Sequence, residues 1–257
     1  MRAVAIQLPV RMKVEENLAD LSAALGGLKA GALVVAPEGC LSGYEPRPDF
    51  VADIDTGITG QAIETARMLA ERAKVHLVIG ACIYEEGAWF NSSFYMGPKR
   101  ELFRYDKVNL AQSERGTFRP GDRLPVHDID VDGVSVRLGI QMCREIRYPE
   151  QWRVLATEGA QVIAYVNNAV GSAQGHELWR AHVISRAAET QRFIIGANNA
   201  APDQTCPSLI VSPAGKVLAE APIGATTCVQ ADIDLAEVSD WVLSQSRDDI
   251  VSVRARS

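Results

Sequence analysis

The sequence predicts an α/β fold, in which β-strands and helices alternate along 257 residues. Two observations support this prediction. Short runs rich in β-branched residues recur through the chain, and helical patterns separate several of them. Most of these runs also lack a clean alternation of apolar and polar residues, which indicates strands covered on both faces or packed against a second sheet. The runs are AVAIQL, ALVVAP, HLVIGACI, NSSFYMG, SVRLGIQM, AQVIAYV, RFIIGAN, SLIVSP and TTCVQADI.

Three segments between the strands carry helical patterns. The first lies near residues 60 to 74 and repeats small and apolar residues on one face. The second, PEQWRVLATEG, begins with a proline suited to the first helical turn and ends with Gly159, at the position where helices commonly stop. The third is predicted from His176 to Gln191, and an additional hairpin is predicted between Asn91 and Tyr105.

The composition favours one globular domain over residues 1–257. Hydrophobic residues make up 47% of the chain and charged residues 23%, so neither a disordered nor a fibrous protein is expected. The stretches richest in proline and glycine, GYEPRPDF and RGTFRPGDRLP, are short and lie between regular elements. They therefore indicate loops near a site more readily than domain boundaries.

Charge and hydropathy argue against several classes of partner. The 26 basic and 32 acidic residues give a net charge of −6, and the basic residues do not cluster into a stripe, so we expect no nucleic acid partner. No run of about 18 apolar residues could span a bilayer, and the opening MRAVAIQLPV is too short and too broken for a signal peptide. We therefore expect a cytoplasmic protein that makes no membrane contact.

The cysteines argue against disulfides and against a thiolate metal site. There are five, an odd number, and no two of them form a CxxC pair. No HExxH or comparable spacing of metal ligands occurs either. We therefore expect reduced cysteines, no metal and no cofactor.

Three reactive residue types follow three apolar runs directly. Glu38 follows ALVVAP, Lys107 follows ELFRYD, and Cys143 follows RLGIQM. In α/β sheets, ligands bind beyond the carboxyl ends of strands, because side chains from several loops converge there. The sequence therefore predicts that these three side chains lie together in one site.

A carboxyl group, an ammonium and a thiol can together perform nucleophilic catalysis. A thiol needs a base or a positive field to become an efficient nucleophile, and Glu38 and Lys107 supply these. Attack on a carbonyl or nitrile carbon builds negative charge, which Lys107 and the main-chain N–H after Cys143 would stabilise. Glu38 would act first as an acid and then as a base. A dyad of cysteine and histidine is the weaker alternative, because none of the four histidines adjoins these strand ends.

Three sequence blocks resemble the nitrilase superfamily of carbon–nitrogen hydrolases. They are VVAPEGCLSGYEP, YDKVNL and GIQMCREIRYPE, in the order and separation typical of that family. The resemblance implies a catalytic triad of Glu38, Lys107 and the nucleophile Cys143. In ERGTFRPGD, Glu114 stands seven residues before Gly121, like the additional glutamate that many members use to support the triad.

The resemblance also implies a fold, an assembly and an activity. The implied fold is a four-layer αββα sandwich of two mixed sheets, and members usually pair across a helical surface into a homodimer. The implied activity is hydrolysis of a non-peptide carbon–nitrogen bond in a small amide through a cysteine thioester, with release of ammonia or an amine. An N-carbamoyl hydrolase, a nitrilase or an acyl transferase with the same triad stays open, as does a non-catalytic scaffold.

Three further residues are predicted to line the substrate pocket. Arg144 stands where nitrile-cleaving members commonly place tryptophan, which favours amide over nitrile hydrolysis. Its guanidinium either binds an anionic substrate or pairs with a neighbouring acid outside the pocket. Tyr44 and Asn168, at loop positions after strand ends, are also predicted pocket residues. We further expect Cys143 to be the one cysteine that is both exposed and activated.

Overall fold

The computed structural model describes residues 1–47, 49–171, 175–247 and 249–254. Within these ranges the chain forms twelve β-strands and four α-helices. The strands are β1 (Arg2–Gln7), β2 (Leu33–Val35), β3 (His76–Glu85), β4 (Ala88–Met96), β5 (Leu102–Asp106), β6 (Val126–Val131), β7 (Val134–Met142), β8 (Val162–Val166), β9 (Phe193–Ala197), β10 (Leu209–Val211), β11 (Val217–Glu220) and β12 (Thr227–Asp232). The helices are α1 (Val14–Gly26), α2 (Thr56–Ala73), α3 (Pro149–Thr157) and α4 (His176–Thr190).

The strands form two mixed sheets with related arrangements. The first sheet has the order β12-β1-β2-β3-β4-β5, and the second has the order β11-β10-β9-β8-β7-β6. Three neighbouring strands are parallel in each sheet, β1 to β3 in the first and β7 to β9 in the second. The remaining neighbours are antiparallel. Helical crossovers join the parallel strands, and they explain the alternating order that the sequence predicts.

Three apolar clusters hold the layers together and define a four-layer αββα sandwich. One cluster lies between the two sheets, a second joins α1 and α2 to the first sheet, and a third joins α3 and α4 to the second sheet. Successive residues of β2 show why the strands lack alternation. Val34 packs in the helix-facing cluster and Val35 in the cluster between the sheets, so both faces of the strand are buried. Each such valine contributes about 1.5 to 3 kcal/mol through burial.

The carboxyl ends of several strands meet at one edge of the sandwich. β2 and β3 are parallel, and β5 runs in the same direction because the two antiparallel steps through β4 restore it. In the second sheet, β7 and β8 are parallel. The N–H of Glu38, beyond β2, donates to the carbonyl of Asn167, beyond β8, at 3.0 Å. Both sheets therefore present their carboxyl ends to the same place.

The predicted helices are confirmed, with boundaries shifted by a few residues. The helix predicted near residue 60 begins four residues earlier, because the carboxylate of Asp55 caps it by accepting from the N–H of Ile58 at 2.9 Å. Helix α3 begins at Pro149, and Gly159 beyond its end has the positive φ of +87° that glycine tolerates best. Helix α4 ends one residue early, since Gln191 adopts the left-handed conformation.

The hairpin predicted between Asn91 and Tyr105 is confirmed as β4 and β5, whereas strand β6 was not predicted. β6 is an edge strand of mixed polarity, VHDIDV, so no apolar run marks it. The signal that could have found it is the turn that joins it to β7. Asp132 and Gly133 have φ angles of 52° and 82°, and an Asp-Gly pair between two strands is a strong hairpin signal.

The described ranges contain no helix that is long and apolar enough to cross a membrane. They also contain no group of three or more histidine, cysteine, aspartate or glutamate side chains placed to hold a metal ion. All five cysteines are free thiols.

Candidate active site

A buried cluster of two carboxylates and one ammonium forms the centre of the site. The Nζ of Lys107 donates to Oε1 of Glu38 and to Oε1 of Glu114, each at 2.8 Å. The Nδ2 of Asn91, on β4, donates to the same two oxygens, each at 2.7 Å. The Lys107 and Glu38 side chains are 0% exposed, so water contributes little to their solvation. Two donors therefore clamp two carboxylates against each other.

The two carboxylates have opposite pKa shifts. Burial raises the pKa of Glu38 above its ordinary value, and the negative charge of Glu114 adds to this, while Lys107 opposes it. Burial also acts to raise the pKa of Glu114, but Lys107, the N–H of Ala111 and Asn91 outweigh it and lower that pKa. Two carboxylates that share the same donors repel each other when both are ionised, so ionising the second carboxylate costs more than ionising the first. A proton that enters this pair therefore resides on Glu38.

The ammonium of Lys107 stays charged in this setting. Burial alone would lower its pKa, but the carboxylates of Glu114 and Glu38 raise the pKa of Lys107 well above its ordinary value. Two of its three N–H groups bind Glu38 and Glu114, so one N–H is left for another acceptor.

Cys143 lies on a strained turn directly after β7. Its φ of 35° is in the left-handed region, which a residue with a side chain seldom adopts. The strand ends there and a short 3₁₀ turn follows, Cys143–Arg147. The hydroxyl of Tyr165 donates to the Cys143 carbonyl at 2.7 Å and holds the turn. Such strain persists where the surrounding structure fixes it, and it often marks a functional residue.

The main chain of Asn168 connects the nucleophile candidate to the charged cluster. The Cys143 Sγ donates to the carbonyl of Asn168 at 3.7 Å, and the N–H of Asn168 donates to Oε2 of Glu38 at 2.9 Å. The thiol and the carboxylate therefore contact opposite polar groups of one residue. The three side chains that follow three distant strand ends in the sequence meet here.

The expectation that Cys143 is an exposed cysteine is wrong. Its side chain is buried, with the residue 8% exposed, and the exposed cysteine is Cys228, on the edge strand β12. Burial raises the pKa of the Cys143 thiol well above its ordinary value, and the charge of Glu38 adds to this, whereas Lys107 lowers it. The resting thiol is therefore protonated. The sequence cannot give this result, because it depends on how completely water is excluded.

Two of the three predicted pocket residues, Tyr44 and Asn168, contact the carboxylates of the charged cluster. The hydroxyl of Tyr44 donates to Oε1 of Glu114 at 3.0 Å. The Oδ1 of Asn168 accepts from Asn199 and from Gln204, each at 3.2 Å, while its buried Nδ2 has no partner among the described residues. Arg144 is half-buried and has no ion pair or side-chain hydrogen bond with any residue in the described ranges. Of the two alternatives for Arg144, pairing with a neighbouring acid is therefore not observed among the described residues.

Two polar residues of the site were not predicted. Asn91 bridges both carboxylates, and Glu145 is fully buried two residues after Cys143. The signal for Asn91 was a polar side chain at the start of the buried run NSSFYMG. The signal for Glu145 was an acid next to the apolar Ile146, in the short turn that directly follows the buried strand β7.

Gly80, on β3, allows Glu38 to reach its position. A Cβ at residue 80 would lie 2.6 Å from the Glu38 Cα and 2.7 Å from the Gly39 nitrogen, distances that real Cβ atoms do not tolerate. The strand also holds the segment directly, since the N–H of Gly80 donates to the Pro37 carbonyl at 3.2 Å and its carbonyl accepts from Leu41 at 3.1 Å. The close approach of these two backbones fixes where the Glu38 carboxylate points.

Comparison with known proteins identifies the class to which this fold and site belong. The family model described as carbon–nitrogen hydrolase matches residues 2–242. An (R)-stereoselective amidase of Pseudomonas sp is 30% identical over 194 residues, which cover 74% of this chain and 68% of the relative. The omega-amidase NIT2 of Bos taurus is 28% identical over 283 residues, which cover 99% of this chain and 98% of the relative.

A solved structure confirms the fold. It is a mutant of the amidase from Nesterenkonia sp. AN1 with covalent addition of the acetamide moiety of fluoroacetamide at its active site cysteine. The two chains are 22% identical with a TM-score of 0.82, and the match covers 97% of this chain and 95% of that one. These matches define a hydrolase of carbon–nitrogen bonds. The chain belongs to the carbon–nitrogen hydrolase family of the nitrilase superfamily, and the predicted αββα sandwich is confirmed.

Proposed function

We propose that the protein hydrolyses the carbon–nitrogen bond of a small amide through a thioester on Cys143, releasing ammonia or an amine. The observation that carries this proposal is the contact network of the site. Lys107 binds the carboxylates of Glu38 and Glu114, and the main chain of Asn168 joins Glu38 to the Cys143 thiol. A base, a cation and a nucleophile within one buried network match the needs of acyl transfer.

In the first step, Glu38 takes the proton of the Cys143 thiol as the sulfur attacks the amide carbon. This transfer is needed because the thiol is protonated at rest. The raised pKa of Glu38 suits a base that must also return a proton, since general catalysis works best when the pKa lies near the working pH. A carbon–sulfur bond forms, and negative charge develops on the amide oxygen. The free N–H of Lys107 and the main-chain N–H after Cys143 stabilise that charge.

In the second step, the tetrahedral intermediate collapses and the carbon–nitrogen bond breaks. Glu38 gives its proton to the departing nitrogen, which leaves as ammonia or an amine. A water molecule then attacks the thioester carbon while Glu38 takes a proton from that water. The carbon–sulfur bond breaks, and Glu38 returns this proton to the departing sulfur, which restores the thiol. The products are a carboxylic acid and free enzyme, and Glu38 has acted alternately as base and acid.

The relatives support an amide as the substrate, and Arg144 supports an anionic one. Two relatives are named as amidases, and the Nesterenkonia enzyme carries an acetamide group on its active site cysteine. Arg144 adjoins Cys143, is half-buried and lacks a described ion-pair partner, so its guanidinium is available to bind a carboxylate. Tyr44 and Asn168 are proposed to line the same pocket, Asn168 through its Nδ2, which has no partner among the described residues.

Ammonia release from a substrate panel tests the proposal. The panel contains ω-amides of dicarboxylic acids, neutral aliphatic amides, N-carbamoyl amino acids and aliphatic nitriles. We expect turnover of amides, fastest for the ω-amides, in the wild type and in Cys228→Ala, and none in Cys143→Ala. Preference for carbamoyl compounds or nitriles would replace the proposed substrate class. Equal turnover by the wild type and Cys143→Ala would overturn the proposed mechanism.

The thioester has a direct test in acid-quenched samples. During turnover, intact mass spectrometry of the wild type should detect an acyl group on Cys143, and added hydroxylamine should convert it to a hydroxamate. An enzyme that turns over amides without any such adduct or hydroxamate would exclude the covalent route.

The predicted homodimer, the cytoplasmic location and the single domain over residues 1–257 stay predictions. Light scattering tests the first of these. A homodimer should have twice the chain mass of 27.9 kDa at micromolar concentration, and a mass of one chain would contradict it.

A further inference from the structure

A second buried carboxylate lies behind the nucleophile, and the reaction proposed above does not use it. Glu145 is 0% exposed. Its Oε1 accepts from the N–H groups of Val108 and Asn109, the two residues after Lys107, at 2.8 and 3.0 Å. Its Oε2 accepts from the N–H of Met142, the residue before Cys143, at 2.8 Å. One side chain therefore binds the segment that carries the ammonium and the segment that carries the sulfur.

These two segments belong to different sheets. The residues after Lys107 extend β5 of the first sheet, whereas Cys143 extends β7 of the second. Between the sheets lies an apolar cluster, whose packing is non-directional, and the hydrogen bonds of Glu38 with Asn167 and Asn168 join the carboxyl ends of β2 and β8 rather than those of β5 and β7. Hydrogen bonds to a carboxylate, in contrast, fix distance and direction. Glu145 is therefore placed to set how far the Lys107 ammonium lies from the Cys143 sulfur.

Tyr105 completes the set of donors around Glu145. Its hydroxyl lies 2.7 and 2.8 Å from the two carboxylate oxygens, and the Nε2 of Gln151 approaches Oε1 at 3.4 Å. Burial raises the pKa of Glu145, and the donors from Asn109, Tyr105 and Met142 oppose this. A carboxylate can accept from all three N–H groups, whereas a glutamine amide would turn an N–H toward one of them. The site is thus built for an acid at residue 145.

The same side chain also supports the strained turn at Cys143. The left-handed conformation of Cys143 persists only if contacts hold the main chain before and after this residue. Glu145 binds the N–H of Met142 through its side chain, and its carbonyl accepts from the Trp152 indole at 2.9 Å. Loss of the carboxylate would free the turn on the side nearest the nucleophile.

We propose that Glu145 is a positioning residue, which holds Lys107 and Cys143 at the separation that lets both act on one substrate carbonyl. The proposal rests on the proposed function, in which these two groups share that carbonyl. Glu145 itself contacts neither substrate nor the reacting atoms in this mechanism.

The test compares Glu145→Asp and Glu145→Gln with Glu150→Gln, which changes an exposed glutamate on α3. Aspartate keeps the charge but is one methylene too short to span both segments. We measure kcat and KM for the best amide, the iodoacetamide reaction rate of Cys143 against pH by mass spectrometry, and the melting temperature. The alkylation measurement needs no substrate.

We expect Glu145→Asp to lower kcat at least tenfold with KM changed less than threefold. Its alkylation curve should move to higher pH by at least half a unit, because the sulfur loses the nearby ammonium while the charge at 145 is kept. Glu145→Gln should lower kcat at least 100-fold, since one of its N–H groups would face the N–H of Met142. Glu150→Gln should match the wild type in all measurements.

A merely structural role of Glu145 predicts a different pattern. Turnover would then fall only in proportion to the folded fraction of the protein, and the alkylation curve of Glu145→Asp would match that of the wild type. That result would overturn the proposal.

Two further outcomes are covered by the same measurements. If the wild type hydrolyses no amide, the proposed function fails, while the alkylation curves still decide the role of Glu145. If both substitutions at 145 prevent folding, Tyr105→Phe serves instead. It should lower kcat three- to tenfold with a shift of the curve to higher pH, and an unchanged curve would overturn the proposal.

Discussion

A pair of buried carboxylates and a single buried carboxylate lie near Lys107, and they differ in the groups that contact them. Glu38 and Glu114 face an ammonium at 2.8 Å, whereas Glu145 faces main-chain N–H groups and a tyrosine hydroxyl. Repulsion within a carboxylate pair that shares one cation keeps the two pKa values apart, so a proton that enters the pair goes to Glu38, whose pKa is raised, and not to Glu114, whose pKa is lowered. A carboxylate surrounded by fixed neutral donors instead holds geometry. In the proposed mechanism, the pair of Glu38 and Glu114 therefore serves proton transfer, whereas Glu145 keeps the reacting groups in place.

Replacing Glu38 with glutamine should have the largest effect on turnover. Glutamine can hold the N–H of Asn168 but cannot accept a proton, and the proposed mechanism uses that proton in both halves of the reaction. We expect kcat to fall about 10⁴-fold, at the upper end of the range for general acid–base catalysis. Steady-state ammonia release measures it, with Glu150→Gln as the control. A loss smaller than tenfold would assign the base to another residue.

Replacing Lys107 with methionine should give the next largest loss. The change removes the donor to the developing oxyanion, and we expect kcat to fall about 10³-fold. It also leaves two buried carboxylates without their cation, so the free energy of unfolding should fall by about 3 to 5 kcal/mol. Urea denaturation measures this, and the exposed Lys99→Met is the matched control. Turnover near the wild-type rate would contradict the oxyanion role of Lys107.

The pH dependence of kcat/KM should distinguish Glu38 from Glu114. Glu38 must be ionised to act as the base, so activity should rise as pH increases through its pKa, which lies above the ordinary value of 4.5. In Glu114→Gln the repelling charge is absent, so the pKa of Glu38 falls and the acid limb moves to lower pH. We expect this shift together with a kcat loss of about tenfold. A limb that moves to higher pH would reverse the assignment of the two carboxylates.

Gly80→Ala should have the smallest effect on turnover and should act through Glu38. The added methyl group would lie 2.6 Å from the Glu38 Cα, so the backbone must shift. We expect a free energy of unfolding lower by about 1 to 3 kcal/mol, as for other overpacked sites, and a severalfold loss of kcat. Gly60→Ala, in α2 with open space around the glycine, is the control and should not lose stability. Unchanged stability in Gly80→Ala would show that the two backbones are free to separate.

The site residues that the sequence could predict are those that end strands. Glu38 and Cys143 follow apolar runs that identify buried strands, and Lys107 follows the partly exposed edge strand β5. Strands of one direction bring their ends to one edge. Strand β6 was not predicted because it contains no continuous apolar run, and its clearest signal is the Asp-Gly turn that joins it to β7. Asn91 escaped because a polar residue inside a buried run has no meaning until its neighbours are known.

The sequence by itself determined the alternation of strands and helices apart from β6, the family, and the three strand-end residues, because these depend on local periodicity and on residue type at fixed spacing. The tertiary structure alone decided that Cys143 is buried with a raised thiol pKa, that the pKa of Glu38 is raised while that of Glu114 is lowered, and that Glu145 joins two sheets. The physical reason is that pKa values and hydrogen bonds depend on desolvation and on distances of a few ångströms between groups far apart in the chain.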